Sequence, residues 1–264
     1  MNQHYETLAV MIKEYCGIDF LSNLSNLEMK MVSRLRLLSL SVEEYIDYLK
    51  KTKTEWDKLV ECVTINETYF FREEQQLEEF QQLLAQKKSD IITLWCIPCS
   101  TGEEAYSLAI LAKEAEKKTG KKVKIYACDI NKKVLETAKK GYYTKNSLSF
   151  RRFPYEKNYL NTYFIEDEKG YQIKDEIKQM ITFEPFNLKD SASYNKYQNV
   201  DFIFCRNVLF YFNEPIVQQI INNFYRTLHQ DGVMFLGHAE SISNLKTNFQ
   251  THYTQQTFYY KKGV

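Results

Sequence analysis

The chain has 264 residues, of which 44% are hydrophobic and 26% are charged, and its formal net charge is +1. This balance is typical of a globular protein with one large domain or two unequal ones, and it gives no support for nucleic-acid binding by the molecule as a whole. The six cysteines are scattered and no run of about 18 apolar residues could cross a bilayer, so the sequence predicts a cytoplasmic protein without disulfides or membrane insertion.

Residues 1–76 are predicted to form a small all-helical domain. Apolar residues recur there at helical spacing, first Leu27, Met31, Leu35 and Leu38, and then Trp56, Leu59, Val60 and Val63. Between these stretches, Ser41 and Glu44 have the spacing of a capping box, in which each side chain accepts a hydrogen bond from a backbone N–H at a helix start. The region has one glycine and no proline, so few residues interrupt the helical pattern.

From about residue 91, short apolar runs alternate with helical patterns. The predicted strands are Ile91–Cys96, Val123–Cys128, Val200–Cys205 and Gly232–Leu236, and the predicted helices cover residues 103–118, 131–141 and 214–228. Strands that alternate with helices pair in parallel and are covered on both faces. Residues 77–264 are therefore predicted to form an α/β domain with a mostly parallel sheet.

Two hairpins interrupt this alternation. Residues 163–173 contain the turn sequence Asp-Glu-Lys-Gly and predict a hairpin within a β-subdomain inserted at about residues 155–180. The alternating Thr and Tyr residues of 249–262 predict an antiparallel hairpin at the edge of the main sheet.

Polar residues follow the first two predicted strands. Gly102 and Glu104 lie where the helix after Ile91–Cys96 begins, and Asp129 directly follows Val123–Cys128. Ligands of doubly wound folds bind at the carboxyl ends of strands, where a helix start offers free N–H groups and an acid can accept ribose hydroxyls. The chain lacks G-x-G-x-x-G here, which argues against NAD, and its acids suit a cationic or polyhydroxyl ligand. The alternatives are an ordinary strand–helix turn and a helix N-cap.

Two further segments carry candidate polar groups. Asn66, Thr68 and Arg72 interrupt an aromatic stretch, and an arginine fork binds carboxylates through two parallel hydrogen bonds. Arg206 and Asn207 follow the strand Val200–Cys205, and Tyr211 comes shortly after. The alternatives are a surface arginine and a core tyrosine, because the chain contains 20 Tyr and 17 Phe.

Cys96 and Cys99 offer a competing interpretation, because C-x-x-C before a helix also occurs in redox proteins. Two buried thiols at a strand end are the simpler explanation. A zinc site would need a second cysteine pair at suitable spacing. The other cysteines of the sheet region are isolated, so we predict no metal.

The helical region also carries a candidate docking patch. Lys30 and Arg34 are four residues apart and share a helix face, whereas Arg36 points away from it. These three cations could contact an acidic partner, and the alternative is an ordinary solvated helix face.

The chain resembles the chemotaxis receptor glutamate methyltransferases, the CheR family. The resemblance rests on six segments in the family's order, namely Asn66–Arg72, Cys99–Glu104, Ala127–Ile130, Phe186–Leu188, Cys205–Phe212 and Gly237–Ser241. The sequence departs from the family pattern at Pro98 and Ala105, where a small residue and a proline are common.

The resemblance implies a helical N-terminal domain joined to a class I, Rossmann-like S-adenosylmethionine methyltransferase domain with an inserted β-subdomain. It implies O-methylation of glutamate side chains on the cytoplasmic helical domain of chemotaxis receptors by a monomeric enzyme, with S-adenosylhomocysteine as the product. The implied cofactor contacts are Asn66, Thr68, Arg72, Gly102, Glu104, Asp129, Asn187, Leu188 and Asn207. Arg72, Arg206 and Tyr211 are implied at the methyl-transfer centre. With a receptor as the partner, the cations Lys30, Arg34 and Arg36 of the docking patch are the predicted receptor contacts.

Three rival functions remain at this stage. A thiol–disulfide protein would depend on Cys96 and Cys99. A silent adaptor would have no use for Arg72 and Tyr211, and a small-molecule methyltransferase would have no evident use for the helical domain.

Overall fold

The computed structural model describes residues 2–263. Its helices are α1 Asn2–Cys16, α2 Leu24–Leu38, α3 Val42–Lys51, α4 Glu55–Val63, α5 Glu74–Gln86, α6 Glu103–Thr119, α7 Lys132–Lys140, α8 Tyr159–Tyr163, α9 Asp175–Lys178 and α10 Glu214–Thr227. Its strands are β1 Ile91–Cys96, β2 Lys122–Asp129, β3 Tyr142–Thr144, β4 Phe164–Glu166, β5 Gly170–Ile173, β6 Ile181–Pro185, β7 Val200–Cys205, β8 Leu228–Leu236, β9 Phe249–Tyr253 and β10 Phe258–Lys262.

Helices α1–α4 form the predicted N-terminal domain around their own core. Leu8, Leu27, Tyr45 and Leu59 are almost fully buried in one cluster. The capping box at the start of α3 is confirmed, since Ser41 and Glu44 bond each other's backbone N–H groups.

The predicted domain boundary at residue 76 falls inside α5. Leu77, Phe80 and Leu84 of α5 are buried with the sheet rather than with α1–α4. The amphipathic pattern of α5 does not indicate which domain its apolar face contacts. The helical core therefore ends with α4, and residues 64–73 cross to the sheet domain.

The main sheet has seven strands in the order β6-β2-β1-β7-β8-β10-β9. The first five are parallel, and β10 and β9 add the predicted antiparallel hairpin at one edge. Strand β6 was not predicted, because only Ile181 of this edge strand is buried. The parallel pairing brings the carboxyl ends of β1, β2 and β7 to one edge of the sheet.

The inserted subdomain is a three-stranded antiparallel sheet in the order β3-β5-β4. The predicted hairpin is present as β4 and β5, but the subdomain begins at β3 rather than near residue 155. The three-residue β3 is too short for periodicity to show it. Within residues 2–263, no helix has the length and hydropathy needed to span a membrane.

Candidate active site

A cleft opens where the helical domain meets the carboxyl ends of β1, β2 and β7. The predicted site residues that line it are Asn66, Thr68, Arg72, Glu104, Asp129, Asn187, Leu188, Arg206, Asn207 and Tyr211. These residues come from five separate stretches of sequence, and the fold brings them into one cavity.

Gly102 differs from the prediction, because it does not line this cleft. It precedes α6 with a φ of +97°, and a Cβ there would lie 2.9 Å from the Cβ of Ala138. A glycine is needed at this position because the turn has a positive φ and because a side chain would clash with α7. The residue of this turn that lines the cleft is Ser100, whose hydroxyl donates to the Asn66 carbonyl.

Asp129 is buried at the end of β2, where it holds both the turn after β1 and the turn after β2. One carboxylate oxygen accepts the N–H of Ser100 at 2.8 Å, and the other accepts the N–H of Asn131 at 2.9 Å. Burial raises its pKa to about 6, although these backbone hydrogen bonds act to lower it. A carboxylate has about four acceptor positions, so Asp129 can still accept ligand hydroxyls from the cleft.

Arg206 lies between two acids at the centre of the site, and its side chain is fully buried. Its Nη2 donates to the carbonyl of Arg72 at 2.7 Å. Its Nε lies 3.6 Å from Glu73 Oε2 and 3.7 Å from Glu104 Oε2, distances too long for good hydrogen bonds. Among the described residues, Nε and Nη1 of Arg206 and Oε1 of Glu104 have no hydrogen-bond partner. Burial raises the pKa of Glu104, and Arg206 acts to lower it. Buried polar groups normally have hydrogen-bond partners, so these three atoms are candidates for contact with a ligand.

Arg72 and Tyr211 are half-buried in the same cleft. Arg72 Nη1 donates to the Glu67 carbonyl at 3.3 Å, which leaves most of its guanidinium donors available. Burial raises the pKa of Tyr211, with Glu67 also raising it and Arg72 lowering it. Tyr211 therefore carries its proton at neutral pH and can donate a hydrogen bond.

Part of the lining of the cleft is apolar. Ile18, Ile130, Phe186 and Leu188 line it and supply a surface for a flat aromatic group. Asn187 also lines the cleft, but its Nδ2 donates to the Tyr15 carbonyl at 2.8 Å and its Oδ1 accepts the N–H of Lys189. Its side chain ties the C-terminal end of α1 to the sheet domain.

Glu240 is a positioning residue that the sequence interpretation did not single out. Its buried carboxylate accepts four backbone N–H groups at 2.7–2.8 Å, from Asn207, Val208, Leu209 and Gly237. Asn207 has a φ of +59°, and a Cβ at Gly237 would lie 2.6 Å from Asn207 Nδ2. Glu240 thus fixes the turn that leads from Arg206 to Tyr211.

Arg34 also differs from the prediction. Its guanidinium makes two hydrogen bonds to the buried Glu55, at 2.8 and 2.5 Å, and Glu55 accepts a third from the Tyr45 hydroxyl. This network joins α2, α3 and α4. The guanidinium of Arg34 is therefore already hydrogen-bonded within the helical domain. Lys30 and Arg36 remain as the candidate docking cations.

Cys96 and Cys99 are unsuited to redox chemistry. Both thiols are buried, and burial raises both pKa values well above that of an ordinary cysteine. A thiol–disulfide site needs an accessible thiolate. Within residues 2–263, no cluster of metal-ligating side chains is present.

Known proteins have sequences related to this chain. Residues 66–258 match the family described as CheR methyltransferase, SAM binding domain. Chemotaxis protein methyltransferase 2 of Vibrio cholerae is 34% identical over 84% of this chain and 79% of its own length. Chemotaxis protein methyltransferases of Borreliella burgdorferi and Escherichia coli are 32% and 30% identical, over 77% and 93% of this chain and 75% and 87% of their own lengths.

Proposed function

The chain belongs to the CheR family of S-adenosylmethionine-dependent methyltransferases, and we propose that it methylates glutamate side chains of chemotaxis receptors to give methyl esters. The modified residues would lie in the cytoplasmic helical domain of the receptor, and the enzyme would act in the cytoplasm as a monomer. The observation that carries this proposal is the convergence of Arg72, Arg206 and Tyr211 with Glu104 and Asp129 in one cleft.

The residues of the cleft fit S-adenosylmethionine. Asp129 would accept the ribose hydroxyls, and the apolar part of the cleft would hold the adenine. The unpaired oxygen of Glu104 and the unpaired N–H groups of Arg206 match the ammonium and carboxylate of an amino acid. Asn66, Thr68 and Asn207 also line the cleft and would contact the cofactor, and Leu188 is one of its apolar residues.

The reaction needs alignment more than proton transfer. When bound, S-adenosylmethionine supplies an electrophilic methyl group on a positively charged sulfur. A glutamate with an ordinary pKa of about 4.3 is already ionised at neutral pH, so no general base is required. Arg72 and the protonated Tyr211 would orient the receptor carboxylate, and the buried site would exclude water.

A direct assay tests this function. Receptor cytoplasmic fragments are incubated with the protein and methyl-labelled S-adenosylmethionine, and base-labile label on glutamate is measured. Label that is absent from the receptor but present on a small molecule would favour the small-molecule methyltransferase. Cofactor binding without any transfer would favour the silent adaptor.

We expect the affinity for S-adenosylhomocysteine to fall at acidic pH. Ribose hydroxyls donate to an ionised Asp129, so binding should lower its pKa from the value of about 6 in the free protein. Affinity should then be constant above that pH and fall by up to about tenfold per unit below it. Calorimetric titration between pH 7.5 and 5 measures this, with circular dichroism to verify folding. A dissociation constant that is flat over this range would contradict the role given to Asp129.

Charge reversal on α2 should weaken receptor recognition. Met29 and Leu37 on α2 are 70% and 73% exposed. By helical periodicity Leu37 shares a face with Lys30 and Met29 with Arg36, so each cation has an exposed apolar neighbour, which suits an acidic amphipathic helix. The double variant K30E/R36E should raise the KM for the receptor about tenfold at low salt and less at high salt. Its affinity for S-adenosylhomocysteine should not change. Lys139→Glu on α7 is the control, and an equal rise in KM there would refute a specific patch.

A further inference from the structure

Arg151 of the inserted subdomain reaches the rim of the cleft. It lies between β3 and α8, outside the motifs that define the site. Its Nη2 is 2.6 Å from Oε1 of Glu67, and its guanidinium carbon is 3.9 Å from the ring centre of Tyr69. Both partners belong to the segment that ends at Arg72, so one side chain clamps this segment at two points.

Glu67 would obstruct the proposed reaction if nothing held it. It lines the cleft, and its backbone carbonyl is a partner of Arg72. The hydrogen bond from Arg151 lowers the pKa of Glu67, and Arg72 lowers it further, so the carboxylate is charged at neutral pH. A free carboxylate at this position would compete with the substrate glutamate for Arg72 and would repel its charge.

We propose that Arg151 is a positioning residue for methyl transfer, because it holds Glu67 and so keeps Arg72 available for the substrate carboxylate. This inference rests on the proposed function, since it gives Arg72 the task of orienting a carboxylate. It also gives the inserted subdomain a part in the chemistry, because the subdomain supplies the counter-ion of a residue in the cleft.

Buried contacts fix the subdomain against the same segment. The N–H of Phe70 donates to the Ser149 carbonyl at 2.9 Å, two residues before Arg151. The Phe70 ring lies 5.1 Å from that of Phe150 and 5.4 Å from that of Phe164. These contacts fix the position of the Arg151 backbone relative to Glu67, and so they keep the two side chains within reach of each other.

The exposure of the pair separates this role from a structural one. The Arg151 and Glu67 side chains are 34% and 62% exposed, and exposed ion pairs contribute little to folding stability. Removing Arg151 should therefore leave the melting temperature nearly unchanged. Without Arg151, the Glu67 carboxylate loses its ion-pair partner and can turn towards Arg72.

The test compares Arg151→Ala with the double variant R151A/E67Q. R151A should lower kcat/KM for the receptor about tenfold or more, because Arg72 is then paired with Glu67. The double variant should recover most of that loss, since a neutral glutamine does not compete for Arg72. R151A should bind S-adenosylhomocysteine as the wild type does, because Arg151 does not line the cleft.

Lys145→Ala is the matched control. Lys145 belongs to the same subdomain, pairs with Glu166 at 2.5 Å and lies 5.6 Å from the ring centre of Tyr171. It should retain wild-type kcat/KM. An R151A/E67Q variant as slow as R151A, or a Lys145→Ala variant as slow as R151A, would overturn the inference.

A crystal structure of R151A tests the inference independently of any activity assay. Glu67 should be hydrogen-bonded to the guanidinium of Arg72, and an Arg72 without that partner would overturn the inference. Wild-type protein that transfers no methyl group to receptors would instead refute the proposed function. The two failures are therefore distinguishable.

Discussion

Replacing Arg72 by alanine should lower kcat by an order of magnitude or more with the methyl donor at saturation. Arg72 offers a guanidinium fork in the cleft with one weak internal hydrogen bond, at 3.3 Å to the Glu67 carbonyl. Loss of the fork removes the alignment of the receptor carboxylate, and misalignment of reacting groups costs about 10²-fold in well-studied enzymes. Initial rates at saturating donor and varied receptor concentration measure the effect.

The type of cation matters as well as its charge. Arg72→Lys keeps a positive charge but loses the planar two-donor geometry, so it should recover little of the lost kcat. The exposed Arg152 provides the control, since Arg152→Ala should behave as the wild type. A kcat for R72A within twofold of wild type would remove Arg72 from the mechanism, whatever its effect on KM.

The candidate site was predictable where a side chain directly follows a strand. Asp129 ends β2 and Arg206 follows β7, and parallel strands deliver both groups to the same edge of the sheet. Gly102 does not line the cleft, and spacing places a glycine at a turn without showing whether its conformation serves a ligand or packing. At Gly102 the conformation serves packing, because the backbone lies close to Ala138.

Interactions between distant parts of the chain could not be predicted from one sequence. Arg34 has the helical spacing of a surface cation, but its partner Glu55 lies on another helix, 21 residues away. Arg151 and Glu67 are separated by 84 residues, and no local pattern connects them. Periodicity reports which face of an element is apolar, whereas the choice of a polar partner depends on the packed tertiary structure.

Glu240 holds the turn that leads from Arg206 to Tyr211, and its replacement should lower the stability of the fold. In Glu240→Gln, an amide NH₂ replaces one carboxylate oxygen, and each of those oxygens now accepts two backbone N–H groups. Two buried donors would lose their acceptor, at about 1–3 kcal/mol each. We therefore expect a loss of about 3 kcal/mol or more, and a melting temperature lower by roughly 6–12 °C for a chain of this size.

The same substitution should impair catalysis below the melting temperature, because the turn from Asn207 to Leu209 carries Tyr211 into the cleft. At 15 °C, with the folded fraction verified by circular dichroism, E240Q should lower kcat about tenfold or more. Glu214 on α10 is exposed, so Glu214→Gln should change stability by no more than about 0.5 kcal/mol and leave kcat unchanged. An E240Q protein that melts with the wild type would show that the turn holds its shape without this carboxylate. A less stable protein with full kcat would instead separate Glu240 from the placement of Tyr211.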